Sequence, residues 1–98
     1  MNYSFHPKAE IELADAVNYY DRVRVGLGTE FAEEVYAVIE RILTFPYIST
    51  SLGHNRRALV NRFPFGIIYH ASESEVFILA VMQLNRRPGY WKKRKPRS

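Results

Sequence analysis

Seven consecutive residues, Val76-Phe77-Ile78-Leu79-Ala80-Val81-Met82, carry no polar side chain. A strand with one face in water alternates apolar and polar residues, so an unbroken run of this length predicts a central strand covered on both faces. The rest of the chain must supply two covers. The polar turn Ser72-Glu73-Ser74-Glu75 precedes the run, and Phe65 to Ala71 before it is a second apolar segment. These two segments read as antiparallel neighbours joined by the turn. Ala58-Leu59-Val60 suggests a further strand, and Pro64 breaks the chain into a tight connection before the next one.

The first half has a different period. Tyr3 and Phe5 alternate with polar residues as in a short strand, which His6-Pro7 stops. Pro7 suits the first turn of a helix, where Glu10 and Glu12 meet the positive end of the helix dipole. Leu13, Ala16, Val17 and Tyr20 then form one apolar stripe. Tyr20 belongs to the core stripe, which leaves the adjacent Tyr19 exposed. Gly26 and Gly28 break this helix, and Thr29 is a candidate N-cap for the next one, with Glu33 near the capping-box position. Phe31, Val35, Val38, Ile39 and Ile42 make its stripe, and Pro46 ends it near Thr44 or Phe45. Residues 47–55 read as a loop, rich in Ser, Thr, Gly and Asn. The order is β-α-α-β-β-β, an α+β fold in which a helical hairpin packs on a small antiparallel sheet of three or four strands. The expected core is Leu13, Val17, Tyr20, Phe31, Val35, Ile39, Ile42, Ile67, Ile78 and Ala80, with Phe63, Phe65 and Tyr69 beside it. We expect a single domain over 1–98, with a basic C-terminal tail, 92–98, that frays at its end.

The chain has no cysteine, so neither disulfides nor thiolate-bound zinc stabilise it. No apolar run approaches the ~18 residues of a membrane-spanning helix. Met1 to Phe5 lacks the layout of a signal peptide, which makes a cytoplasmic protein the simplest expectation. His6 and His70 are not at metal-ligand spacing, so no metal and no cofactor are expected. The net charge of +4 conceals an asymmetry: residues 1–55 sum to −4 and residues 56–98 to +8. The acidic half is helical in pattern and the basic half strand-like, which suggests one face for an anionic partner.

The arginines and aromatics of the basic half sit at strand ends. Arg62-Phe63-Pro64-Phe65-Gly66-Ile67-Ile68-Tyr69 opens one strand, and Arg86-Arg87-Pro88-Gly89-Tyr90-Trp91 follows the apolar run directly. With Phe5-His6-Pro7-Lys8-Ala9-Glu10, Ala16-Val17-Asn18-Tyr19-Tyr20 and Phe31-Ala32-Glu33-Glu34-Val35, in this order and at these intervals, the chain resembles the RelE/ParE superfamily of toxins over almost its whole length. The resemblance implies a type II toxin–antitoxin system whose toxin is neutralised by a cognate antitoxin wrapped around it. It also implies one of two activities, ParE-like inhibition of DNA gyrase or RelE-like cleavage of messenger RNA on the ribosome.

Metal-free RNA cleavage needs a base for the 2′-hydroxyl, cations for the phosphate and an acid for the leaving oxygen. If this chain is a nuclease, Arg62, Arg86, Tyr90 and His54 are the candidates. Gln83 stands where many members with this ending carry a histidine, and glutamine transfers no proton at neutral pH. His54 is the only titrating residue in the loop before Arg56. These departures favour a gyrase inhibitor. The candidate partner-binding residues are Tyr19, Arg56, Arg57, Arg62, Arg86, Arg87, Tyr90 and Trp91. Trp91 has a second reading, in which it folds back to plug the sheet. A nucleic-acid-binding module or a non-toxic interaction module would use the same basic end.

Overall fold

The computed structural model describes residues 1–95; the end of the basic tail, 96–98, lies outside the described residues. The elements are β1 (Asn2–Phe5), α1 (Pro7–Val23), α2 (Leu27–Thr44), β2 (Thr50–Leu52), β3 (Asn55–Leu59), β4 (Phe65–Ala71) and β5 (Glu75–Gln83). The fold is α+β with the helices preceding most of the strands. The sheet has five strands in the order β1-β5-β4-β3-β2. Two details differ from the sequence reading. β1 runs parallel to β5, so the sheet is mixed. Residues 50–52, read as loop, pair with β3 as a short edge strand. Its composition hides it, because a three-residue edge strand buries little and needs no apolar pattern.

The helical hairpin is built by local chemistry. His6 caps α1: its Nδ1 accepts the Lys8 N–H at 3.0 Å, and Pro7 occupies the first turn. α2 begins at Leu27, two residues before the expected cap. Gly26 takes the left-handed conformation (φ 87°) that turns the chain between the helices. The Asp21 carboxylate of α1 accepts the Gly28 N–H at 2.8 Å, so the cap comes from the preceding helix instead of Thr29. A Cβ on Gly28 would collide with the Val17 carbonyl, and so the helices cross closely there.

Capping by His6 requires an unprotonated Nδ1. Burial, followed by the nearby Arg94 and Lys8 charges, pushes the His6 pKa below its ordinary 6.5. The folded state therefore binds fewer protons than the unfolded one between the two pKa values. This share of stability is complete above pH 6.5 and is lost as pH falls through the lowered folded value. Thermal midpoints at pH 5 and 7.5 should differ more for the wild type than for His6→Asn, which caps without titrating.

The sheet is covered on both faces, as the run from Val76 to Met82 requires. On one face the helices bury Ala9, Phe31, Val35, Ile39 and Ile42 against Ile67, Tyr69, Val76, Ile78 and Val81. Leu13, Val17, Tyr20 and Phe63 pack at the rim, half-buried where full burial was expected for the first three. Tyr20, Phe31, Phe63 and Phe65 form an aromatic knot with centroid separations of 4.8–6.2 Å. On the other face Ile68, Phe77, Leu79, Ala80 and Met82 are covered by Trp91, with Tyr90 beside it. A register shift between Ile68 and Tyr69 leaves Leu79 as an extra residue on β5. The second cover is thus the segment that follows β5, returning across the sheet.

Candidate functional site

β1 is too short to pair with the whole of β5. The last backbone bond to β1 and its extension is from the His6 N–H to the Ile78 carbonyl, at 2.8 Å. Beyond it, the edge of β5 presents the Leu79 carbonyl and the Val81 N–H, which need partners because an unpaired backbone group away from water is costly. Side chains supply them. Glu12 of α1 accepts the Val81 N–H on Oε1 at 3.0 Å, and Arg94 Nη1 donates to the Leu79 carbonyl at 2.9 Å.

The same two side chains pair with each other. Arg94 donates from Nη1 to Glu12 Oε1 at 2.9 Å and from Nη2 to Oε2 at 3.0 Å, a two-pronged contact between largely buried groups. The Tyr90 hydroxyl donates to Glu12 Oε2 at 2.8 Å. One carboxylate thereby holds the C-terminal segment at two points while closing the strand edge. Burial, together with the hydrogen bond to Glu12 and its charge, pushes the Tyr90 phenol up to about 12. The Arg86 guanidinium carbon lies 4.0 Å from the Tyr90 ring centroid, and that of Arg94 lies 5.0 Å away. Stacking on the ring leaves the edge of the Arg86 guanidinium free to meet an anion.

This arrangement borders a cleft of about 360 Å³ between α1 and the end of β5, lined by Asp15, Tyr19, Gln83, Arg86 and Tyr90 among others. Tyr19 is exposed beside Tyr20, with ring centroids 5.2 Å apart. The structure therefore brings together Tyr19, Gln83, Arg86 and Tyr90 from distant parts of the chain. Arg87 is exposed next to them.

The other sequence candidates lie elsewhere. Arg62 adopts a left-handed backbone conformation (φ 70°) and turns back onto α2. Its guanidinium donates to Glu30 at 2.9 Å and to Glu34 at 3.5 Å, and Glu30 also accepts from Arg24 at 3.1 Å. Its bonds to Arg62 and Arg24 hold the Glu30 carboxyl below its ordinary range. Arg56 donates to the Tyr47 and Ser49 carbonyls, both at 2.9 Å, and ties down the segment between α2 and β2. Arg57 faces away from the helices, opposite Ile68, with its stem across Gly66 near Leu84. Its Nε is buried and has no acceptor among the described residues. Trp91 is 4% exposed, so in the free chain it is a cover of the sheet and presents no contact surface.

His54 sits in the tight turn between β2 and β3, where its carbonyl meets His70 Nδ1 at 3.0 Å. That turn is at the end of the sheet opposite Gln83 and Arg86. The seven residues of β4 separate the two ends by roughly 20 Å. Arg62, Arg86, Tyr90 and His54 do not form one constellation. Among the described residues no three His, Asp or Glu side chains are grouped to hold a metal ion, and no helix is long and apolar enough to cross a membrane.

Sequence reasoning missed Glu12 and Arg94. Glu12 reads as an ordinary first-turn acid, and Arg94 as one of four consecutive basic residues in a fraying tail. In the structure Lys92 and Arg94 close tight turns onto the Gly89 and Trp91 carbonyls, which brings the Arg94 side chain back to α1. No local pattern marks a pair separated by 82 positions.

No protein-family model matches the sequence, and no curated protein matches it. Among solved structures, the chain is similar to one described as the chromosomal ParDE TA system from P. aeruginosa. The TM-score is 0.75 and the identity 13%, over 87% of this chain and 97% of that one. The chain therefore shares the fold of that structure over most of its length.

Proposed function

We propose that this chain is the toxin of a type II toxin–antitoxin pair, that it acts as a ParE-like inhibitor of DNA gyrase, and that a cognate antitoxin neutralises it. On this reading the functional unit is the whole of 1–98, and it works in the cytoplasm, where its target is. The observation that carries the choice of activity is the hydrogen bond from the Tyr90 hydroxyl to Glu12. It commits the phenol proton to a carboxylate within the fold, while Gln83 beside it transfers no proton. Besides the exposed carboxylate of Asp15, which no hydrogen bond among the described residues positions, the cleft offers a fixed cation, Arg86, and aromatic surface from Tyr19 and Tyr90, a combination suited to gripping a partner. A nuclease lacking positioned acid and base groups loses ~10²–10⁴-fold in rate for each missing role. Binding needs neither.

The antitoxin would lay an acidic segment on the cations that have no acceptor among the described residues. Arg57 and Arg86 fit that description, whereas Arg62 is already engaged by Glu30 and Glu34. Charge complementarity speeds such an association, and apolar anchors hold it.

The test is induction of the gene in growing bacteria, followed by assays on purified protein. Growth should arrest, and gyrase supercoiling should be inhibited. Arg86→Glu should weaken inhibition roughly 30-fold, the equivalent of a hot-spot loss of about 2 kcal/mol. Cleavage of messenger RNA in a translation extract, with gyrase unaffected, would replace this reading by the ribonuclease one. Absence of growth arrest on induction would leave a non-toxic interaction module.

A further inference from the structure

Arg86 is the cation on which the proposed function depends, yet it donates no side-chain hydrogen bond among the described residues. Its backbone N–H closes a turn onto the Gln83 carbonyl at 3.1 Å, and its guanidinium rests on the Tyr90 ring. An exposed arginine free at its tip would sample many rotamers and would lose their entropy on binding. A ring beneath it removes much of that freedom in advance, provided that the ring itself is held. The Tyr90 ring is held by its hydroxyl at Glu12 Oε2 and lies near the second guanidinium, Arg94, which Glu12 also binds.

We infer that Glu12 is the positioning residue of this protein: from inside the fold it fixes Tyr90, and through Tyr90 it sets where Arg86 presents its charge to an anionic group of the partner. The inference rests on the functional reading for the importance of Arg86, but its geometric half stands without it. Three features support the assignment. Glu12 is on α1, the element that forms the opposite wall of the cleft, so it sets the C-terminal segment relative to that wall. Its two oxygens accept four hydrogen bonds, from the Val81 N–H, Tyr90 and both terminal nitrogens of Arg94. It is also fixed from behind, since the Val81 N–H belongs to β5, which is covered on both faces and paired along its other edge with β4, and cannot shift without the sheet. A carboxylate held by backbone, bound to a phenol, and stacked by way of that phenol against a free arginine is a relay of position in which no proton moves.

The experiment compares wild type, Glu12→Gln and Tyr90→Phe by NMR and by the growth and supercoiling assays. Arg86 side-chain protons stacked on Tyr90 carry a ring-current shift. The methyl signals of Ile39, Ile67 and Ile78 report on the core. In both variants the core signals should stay dispersed, while the Arg86 shift collapses toward that of an exposed arginine in a short peptide. The Tyr90 phenol pKa in Glu12→Gln should fall from about 12 toward 10, keeping the share due to burial. Inhibition should drop at least tenfold in both.

Arg86 signals unchanged in a folded Glu12→Gln would overturn the inference, and unchanged signals in Tyr90→Phe would show that the hydroxyl tether does not hold the ring. If Glu12→Gln fails to fold, Tyr90→Phe decides alone, since it removes one oxygen and leaves the Glu12–Arg94 and Glu12–Val81 contacts in place. Wild-type potency in a variant whose Arg86 has moved would overturn the functional half. A wild type that neither arrests growth nor touches gyrase defeats the toxin reading instead, with the NMR result unaffected.

Discussion

Ile39→Asp unfolds the protein. Ile39 is 1% exposed at the centre of the α2 stripe, packed between the helical hairpin and the β4–β5 face. The substitution removes a buried aliphatic side chain, which alone costs about 2–5 kcal/mol on truncation. It also buries a carboxylate with no partner, which adds several kcal/mol or forces the helix off the sheet. A domain of this size has ~5–15 kcal/mol of total stability, so the two losses together exceed or exhaust it. The amide spectrum should collapse and the cooperative thermal transition should disappear. A folded variant with an unchanged midpoint would mean that the α2 register is wrong. Ile39→Val, by contrast, should cost only about 0.5–1.5 kcal/mol and keep the fold.

Trp91→Ala should cost about 3–5 kcal/mol, the usual range for truncating a buried aromatic. Trp91 is the main cover on the second face of the sheet, and its loss opens Ile68, Leu79 and Met82 to water. At about 4–8 °C per kcal/mol for a domain this small, the thermal midpoint should drop by well over ~10 °C. A dye that binds exposed apolar surface should light up before the global transition. Trp91→Phe should recover most of the loss, since the indole Nε1 is buried with no partner among the described residues and its removal leaves no acceptor stranded there. A midpoint unchanged in Trp91→Ala would mean that the C-terminal segment does not cover the sheet. Truncation after Met82 deletes the same cover together with Arg86 and Tyr90. It therefore mixes instability with loss of function, and Arg86→Glu separates the two.

The elements of the fold were legible because burial leaves a periodic mark. The unbroken run at Val76 to Met82 fixed a doubly covered strand, and the stripe from Phe31 to Ile42 fixed the face of α2. Pro7 and Pro46 marked where the hairpin starts and stops to within a residue, and Gly26 marked the break between its helices to within three. What failed locally was chemistry borrowed from another element, as when Asp21 of α1 took over the capping of α2 from Thr29. Residue types at strand ends likewise announced a cationic surface without saying which cations were spent inside the molecule. Arg56, Arg57, Arg62 and Arg86 are equivalent in the sequence. Arg62 is bound to Glu30 and Glu34, Arg56 is tied to two carbonyls, and Arg57 and Arg86 remain without acceptors among the described residues.

The sequence by itself determined the order of the helices and of every strand but the short β2, most of the helix-facing core and the segregation of charge, because each depends on side chains within a few positions of one another. Tertiary structure alone decided the parallel placement of β1 and the incomplete pairing that leaves the β5 edge open at Leu79 and Val81. It also decided the closure of that edge by Glu12 and Arg94 and the stacking of Arg86 on a tyrosine held in place by that carboxylate. Those contacts join residues up to 82 positions apart. Their partners are chosen by which backbone groups the sheet leaves unpaired, and no local pattern records that choice.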